Sequence, residues 1–282
     1  MLMRPPRKVV PDQSPRGQLP NFGPGLNTIA VHRGLNGIRM AYASNMEIFG
    51  EGEPTEYLYE VVRGLVRNCK IFGDGRRQIT SFHIPGEVLG FEPDDEHHFS
   101  AEAVTDSIIL AVKRSAIMEL AARDAYFAHQ LWAVTARHYW RSRNHVVVLG
   151  YMKARQRVAA FLLPMVPRSP GDDEIELSMS RQDIADYLGL TIETVSRTIT
   201  QFEQEAVIGI ASARRIVIRD RAALTAVVAH DNSRASHGYC EWATAACATK
   251  SQQAANKRDR RRRRCTHEYS AFAQSSELTE WR

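Results

Sequence analysis

The sequence predicts an α+β chain in three parts: an N-terminal antiparallel β sandwich or roll, a long helical middle, and a C-terminal winged helix-turn-helix. Three observations carry this. Short β-rich runs cut by glycines fill the stretch from about Ala30 to Val112. The apolar spacing then turns helical at about Ser115 and stays so to about Leu163. Two short helical patterns finally flank a glycine between Ser178 and Glu205.

The expected strands are Tyr57–Val62, Leu65–Phe72, Gln78–Ile84 and Ser107–Val112. Turns are expected at Gly50, Gly52, Gly64, Gly73-Asp74-Gly75, Gly86 and Gly90. Ahead of them, residues 1–28 are rich in proline and glycine without apolar periodicity, and read as a mobile leader. The full division is leader 1–28, sheet domain 29–122, long helix 123–152, winged helix-turn-helix 153–230 and basic disordered tail 231–282.

On the long helix, Trp132, Thr135, Tyr139, Ser142, Val146 and Leu149 recur at a 3-4-3-4-3 spacing, a seam without a charge. The neighbouring stripe carries Arg141 and His145, which gives the seam a wet side. Residues alone leave two readings open: packing on the chain's own sheet domain, or a parallel contact with a second copy. A further helix, Ala154–Leu163, stops at Pro164, and Pro167, Ser169, Pro170 and Gly171 make a loop.

In the helix-turn-helix, Ser180 is an N-cap with Asp183 three residues on, in capping-box position. Ile184, Ala185 and Leu188 face inward, and Gly189 supplies the turn. Thr191 caps the second helix, whose inward face is Ile192, Val195, Ile199 and Phe202. Glu193, Ser196, Arg197, Thr200 and Gln201 project outward. An acceptor, a hydroxyl and a guanidinium near that helix's start suit the base edges of a DNA major groove. Ile208–Ile210 and Arg215–Ile218 form a wing, with Arg214 and Arg215 available for phosphates. Ser180, Arg181, Gln182, Thr191 and Thr194 complete the DNA-facing candidates.

The bulk numbers agree without deciding the matter. The 282 residues carry a net charge of +5. Residues 231–282, however, hold ten Lys/Arg against six Asp/Glu and so supply +4 of it. DNA binding therefore rests on the motif, and the Arg260–Arg264 run reads as a solvated tail or an added phosphate contact. Arg4, Arg7 and Lys8 are followed by no apolar secretory core, and no apolar stretch is long enough for a membrane span. The location expected is cytoplasmic. Cys69, Cys240, Cys247 and Cys265 form no C-x-x-C pair, so no zinc or iron–sulfur ligand set is expected. Cys69 reads as a small buried hydrophobe, and His97-His98 as solvated loop residues rather than haem or metal ligands. An enzyme, such as a nuclease or recombinase docked by its winged helix, would need partnered carboxylates. Asp94-Asp95-Glu96 and Asp172-Asp173-Glu174 sit in loops and lack partners, so no enzyme is expected.

The Glu193-x-x-Ser196-Arg197 signature, preceded by Ser180-Arg-Gln-Asp-Ile-Ala-Asp-Tyr-Leu-Gly-Leu190, resembles the winged helix of the cyclic-AMP-receptor-protein and fumarate–nitrate-reduction-regulator superfamily, especially its FixK-like branch. Val158-Ala-Ala-Phe-Leu162 and Pro85-Gly-Glu-Val-Leu-Gly90 match it too, over about residues 30–225. The resemblance implies a cyclic-nucleotide-binding-like β-roll, a long dimerisation helix and a C-terminal winged helix. It favours the dimer reading of the seam. It further implies a palindromic TTGA…TCAA-like site read by Glu193, Ser196 and Arg197, with RNA polymerase as a partner. Cyclic-nucleotide members of the superfamily hold the phosphate with an Arg soon after the Gly-Glu pair. Here Glu96-His-His-Phe-Ser-Ala101 follows Gly86-Glu87 without one. The oxygen sensors carry an N-terminal cysteine cluster, and residues 1–50 hold no cysteine. The expectation is a regulator without a cofactor, acting in low-oxygen respiration or nitrogen fixation. A haem-, nucleotide- or small-molecule-gated regulator of the same fold is the alternative.

Overall fold

Eight strands precede the first helix in the computed structural model, which describes residues 35–165 and 174–229. They are β1 (Gly37–Tyr42), β2 (Glu47–Phe49), β3 (Tyr57–Arg63), β4 (Val66–Ile71), β5 (Arg77–His83), β6 (Val88–Leu89), β7 (Ser100–Ala103) and β8 (Ser107–Lys113). Two antiparallel sheets, in the orders β1-β8-β3-β6 and β2-β7-β4-β5, form the roll. Their facing sides close on Tyr42, Phe49, Tyr59, Val66, Leu89 and Ile109. The four expected strands lie within a residue of their expected ends. The other four lie outside those expectations: β2, β6 and β7 are four residues or fewer, and β1 is mostly exposed. Gly64 turns β3 into β4 with φ +93°, and a Cβ there would lie 2.2 Å from the Ser107 hydroxyl, so only glycine fits.

Two helices follow, α1 (Arg114–Arg123) and α2 (Ala125–Tyr151). Asp124 separates them, its carboxylate accepting the Phe127 N–H at 3.0 Å. The inner face of α2 places Phe127 and Val134 against Leu58, Val88, Leu110 and Ile117, fixing the helix to the outside of the first sheet. Next come α3 (Ala154–Leu162), a 3₁₀ turn through Pro164, and the winged helix: β9 (Glu174–Glu176), α4 (Arg181–Leu188), α5 (Ile192–Gln204), β10 (Ile208–Ser212), β11 (Arg215–Ile218) and α6 (Arg221–Ala229). The wing is a three-stranded sheet in the order β10-β11-β9. That corrects the reading of Glu174 as loop, because Ile175 is buried opposite Ile216. A three-residue strand is too short to announce itself by alternation.

The roll, the long helix and the winged helix through Val227 belong to one unit. The leader 1–28, the Pro167–Gly171 loop, the tail 231–282 with Arg260–Arg264, and Cys240, Cys247 and Cys265 lie outside the described residues. Among the described residues no helix is long and apolar enough to cross a membrane.

Candidate nucleic-acid interface

Local hydrogen bonds set the reading helix. The Ser180 hydroxyl accepts the Asp183 N–H at 3.0 Å, and the Asp183 carboxylate accepts the Ser180 N–H at 3.2 Å, a closed capping box on α4. Gly189, at φ +60°, ends that helix and lets the Leu190 N–H reach the Ala185 carbonyl at 3.0 Å. Thr191 then accepts the Thr194 N–H at 3.2 Å and starts α5. Ile184, Ala185 and Leu188 of α4, and Val195, Ile199 and Phe202 of α5, are buried as their spacing predicts. Ile192 is a correction. As the first residue of α5 it sits at the rim of that core and is 37% exposed.

The outward face of α5 carries Glu193, Ser196, Arg197, Thr200 and Gln201, all exposed. Glu193's own backbone N–H, then the Thr191 hydroxyl and the Arg197 charge, hold its carboxyl below the usual glutamate range. It is therefore an ionised acceptor at neutral pH, beside a guanidinium donor. Arg181, at the start of α4, is half-buried, with Nη1 buried and without a hydrogen-bond partner among the described residues, and burial lowers its pKa from the ordinary arginine value. Ser180 and Gln182 are committed to local bonds, Gln182 Nε2 donating to Asp186 at 2.6 Å. At the wing, Arg214 is exposed, and Arg215 lies 3.4 Å from Glu174 across the strands.

Residues far from this face hold it in place, and sequence spacing did not reveal them. The Arg157 guanidinium donates to Leu149 and Met152 carbonyls at the end of α2, at 2.7 and 2.8 Å. It also donates to the Leu188 carbonyl at the end of α4, at 2.9 Å. One side chain thus satisfies two helix C-termini that lack partners of their own. His145, expected on a wet stripe, instead stacks on Tyr187 of α4 with ring centroids 4.0 Å apart. That contact draws one edge of α2 onto the helix-turn-helix, which helical periodicity within α2 cannot show.

The uncharged seam faces away from the roll. Trp132 is 68% exposed, Tyr139 64% and Val146 68%, Thr135 and Ser142 are exposed, and Leu149 is half-buried. The buried positions of α2 are Phe127, Val134 and Val148. Packing on the chain's own sheet domain is therefore not what the seam does.

Comparison with known proteins names this architecture. Residues 39–124 match the cyclic nucleotide-binding domain family, and residues 156–227 match the Crp-like helix-turn-helix domain family. The nitrogen fixation regulation protein FixK of Azorhizobium caulinodans is 46% identical over 193 residues, covering 67% of this chain and 78% of the relative. The FixK of Rhizobium meliloti is 40% identical, covering 65% of this chain and 83% of the relative. The solved structure of FixK2 from Bradyrhizobium japonicum superposes with a TM-score of 0.65 at 44% identity, covering 68% of this chain and 98% of that one. The chain belongs to the cyclic-AMP-receptor and fumarate–nitrate-reduction regulator superfamily, in its FixK-like branch. It is a DNA-binding transcription regulator of FixK type and not an enzyme.

The roll of this FixK-like regulator does not fit a cyclic nucleotide. Its interior is filled by aromatic rings: Phe49 stacks on His97 at 3.8 Å and on Tyr59 at 5.0 Å. His97 was expected in solvent and is 1% exposed, a correction that follows from this stack. Burial holds its pKa below the ordinary histidine value, so the imidazole is neutral. The arginines of the roll beside the interior are committed. Arg67 and Arg77 pair with carboxylates, and Arg114 donates to Thr55 and to the Asp94 carbonyl. No described residue between Gly86 and Ala101 supplies a cation for a phosphodiester. Cys69 is fully buried, and burial pushes its thiol up to about 11, so it stays protonated and weakly nucleophilic. The exposed His98 bonds Asp94 at 2.8 Å.

Proposed function

We propose that this regulator binds a TTGA…TCAA-like palindrome as a homodimer without a cofactor. It would act in the cytoplasm as an activator, through RNA polymerase, in low-oxygen respiration or nitrogen-fixation control. The observation that carries the dimer is the seam on α2, an exposed and uncharged row with three large apolar side chains. Two-fold pairing along it would present two copies of α5 to successive major grooves. Glu193, Ser196 and Arg197 read bases in this scheme, with Arg181, Thr191, Thr194, Arg214 and Arg215 on or near the backbone. The ring-filled roll, and the want of a lysine or arginine between Gly86 and Ala101, support action without an effector.

One observation favours the effector-gated alternative. An open cleft of about 290 Å³ at one side of the roll is lined by Met40, Tyr42, Tyr57 and Tyr59 among others. Its lining mixes tyrosines with aliphatic side chains and carries no charge, so it suits a small uncharged molecule better than a nucleotide. Selection of bound DNA from a random library, with protein purified in plain buffer, separates the two readings. Recovery of a palindrome with TTGA-like half-sites is expected. Enrichment only after adding an effector, or a haem absorbance band in the purified protein, would support gating instead.

A further inference from the structure

A buried network of charges joins the roll to the first helix of the helix-turn-helix. Arg67 on β4 donates to Glu102 on β7 at 2.6 Å and to Asp183 on α4 at 3.0 Å. Arg77 on β5 donates to the same Asp183 oxygen at 2.6 Å and to Asp186 at 2.8 Å. The side chains of Arg67 and Asp183 are 8% and 5% exposed, and that of Arg77 is 23% exposed. Beside them, the Gln78 amide donates to the Asp186 carbonyl at 2.7 Å, while Phe82 meets the Tyr187 ring at 5.3 Å. Two adjacent strands thus hold α4 along its length. The paired residues lie more than a hundred positions apart in sequence, so the contact is tertiary.

The division of Asp183 is informative. Its Oδ2 closes the capping box on Ser180, while its Oδ1 takes both arginines. One carboxylate therefore ties the start of α4 to the roll. Since α4 packs on α5, with Ile184, Leu188 and Val195 buried, whatever fixes α4 also fixes the face carrying Glu193 and Arg197. Surface ion pairs have little hold on geometry, but a desolvated, multiply bonded set tolerates few arrangements. We infer that this clasp sets the angle of the reading helix in the ligand-free protein, with Arg77 as a positioning residue for specific DNA recognition. The inference rests on the ligand-free reading above and gives it a physical basis: fixed contacts do what an effector would otherwise do.

The test compares full-length wild type with Arg77→Gln and Arg77→Lys, in plain buffer, on a TTGA…TCAA duplex and on random duplex. Arg77 is the most exposed member of the clasp, and Asp183 keeps Arg67 when it is replaced. Arg77→Gln is expected to bind the site roughly tenfold more weakly, within the usual range of coupling between distant sites, and random DNA equally well. Amide exchange should quicken in α4 and α5 and stay unchanged in β3 and β8. Arg77→Lys should recover part of the affinity. Equal site binding by wild type and Arg77→Gln, with unchanged exchange in α4, overturns the clasp alone. Should Arg77→Gln unfold, Asp186→Asn removes the same bond from the other side and is read the same way. Wild type that ignores the site in plain buffer overturns the ligand-free reading, and the exchange comparison still decides the clasp.

Discussion

Glu193 and Arg197 lie one helical turn apart on an exposed face, one an ionised acceptor and the other a fork of donors. Arg197→Ala is expected to cost about 1–3 kcal/mol on the specific site and much less on random DNA. Equal losses in a competition assay would make Arg197 a phosphate contact instead. A second residue-scale expectation concerns three histidines, His83 buried and His138 and His145 partly buried. Burial lowers His83 to about 3 and both His138 and His145 to about 4, with the Arg141 charge adding to the shift at His83 and His138. These folded values lie below the unfolded value near 6.5, so the unfolded chain takes up protons first. Stability is full above about pH 6.5 and drains as pH falls toward 4, by up to ~1.4 kcal/mol per histidine per pH unit. Thermal midpoints followed by circular dichroism should fall over that window. His138→Asn should shallow the fall, and an unaltered slope would show that His138 does not contribute.

At the scale of elements, the junction of α2, α3 and α4 depends on the Arg157 guanidinium and on the glycine beside it. Gly189 sits at φ +60°, and a Cβ there would lie 3.6 Å from both Arg157 Nη1 and Leu149 Cδ2, ordinary contact distance. The cost of Gly189→Ala is therefore the backbone's, about 1 kcal/mol, with Asn better tolerated than Ala. Arg157→Gln should cost more, because the carbonyls at the ends of two helices lose their donor together. Chemical denaturation of the three variants ranks them, and Arg157→Gln unfolding no earlier than Gly189→Ala would deny the double cap. These contacts also show what the sequence made legible. Capping residues, the αL glycine and the inward face of α5 act over three or four residues, so spacing revealed them, while glycine-bounded β-rich runs revealed four strands. Arg157, His145 and the Arg67–Asp183 pair act across tens of residues, and nothing in local periodicity distinguishes such an arginine from a solvated one. His97 misled for the same reason: its burial comes from Phe49, nearly fifty residues earlier.

For the whole molecule, the proposed homodimer would hold two reading helices about 34 Å apart, so association through α2 and recognition through α5 would be one property. The wet stripe expected beside the seam is largely engaged within the chain, with Arg141 paired to Glu87 and His145 stacked on Tyr187. That leaves Trp132, Tyr139 and Val146 as an apolar row exposed in the single chain. Ser142 lies at its middle, where a parallel two-fold contact would bring the same residue of each copy close together. Ser142→Asp would face two carboxylates across that axis as water leaves. Desolvation and like-charge repulsion would then oppose association by on the order of a few kcal/mol. The wild type is expected to sediment as a dimer in plain buffer, and Ser142→Asp as a monomer with an intact fold. The monomer should retain its affinity for random DNA per subunit while losing most of its preference for the palindrome. A Ser142→Asp protein that remains dimeric would move the interface off this face of α2. A wild type that stays monomeric until an effector is added would leave the seam in place but make pairing, not the clasp, the gated step.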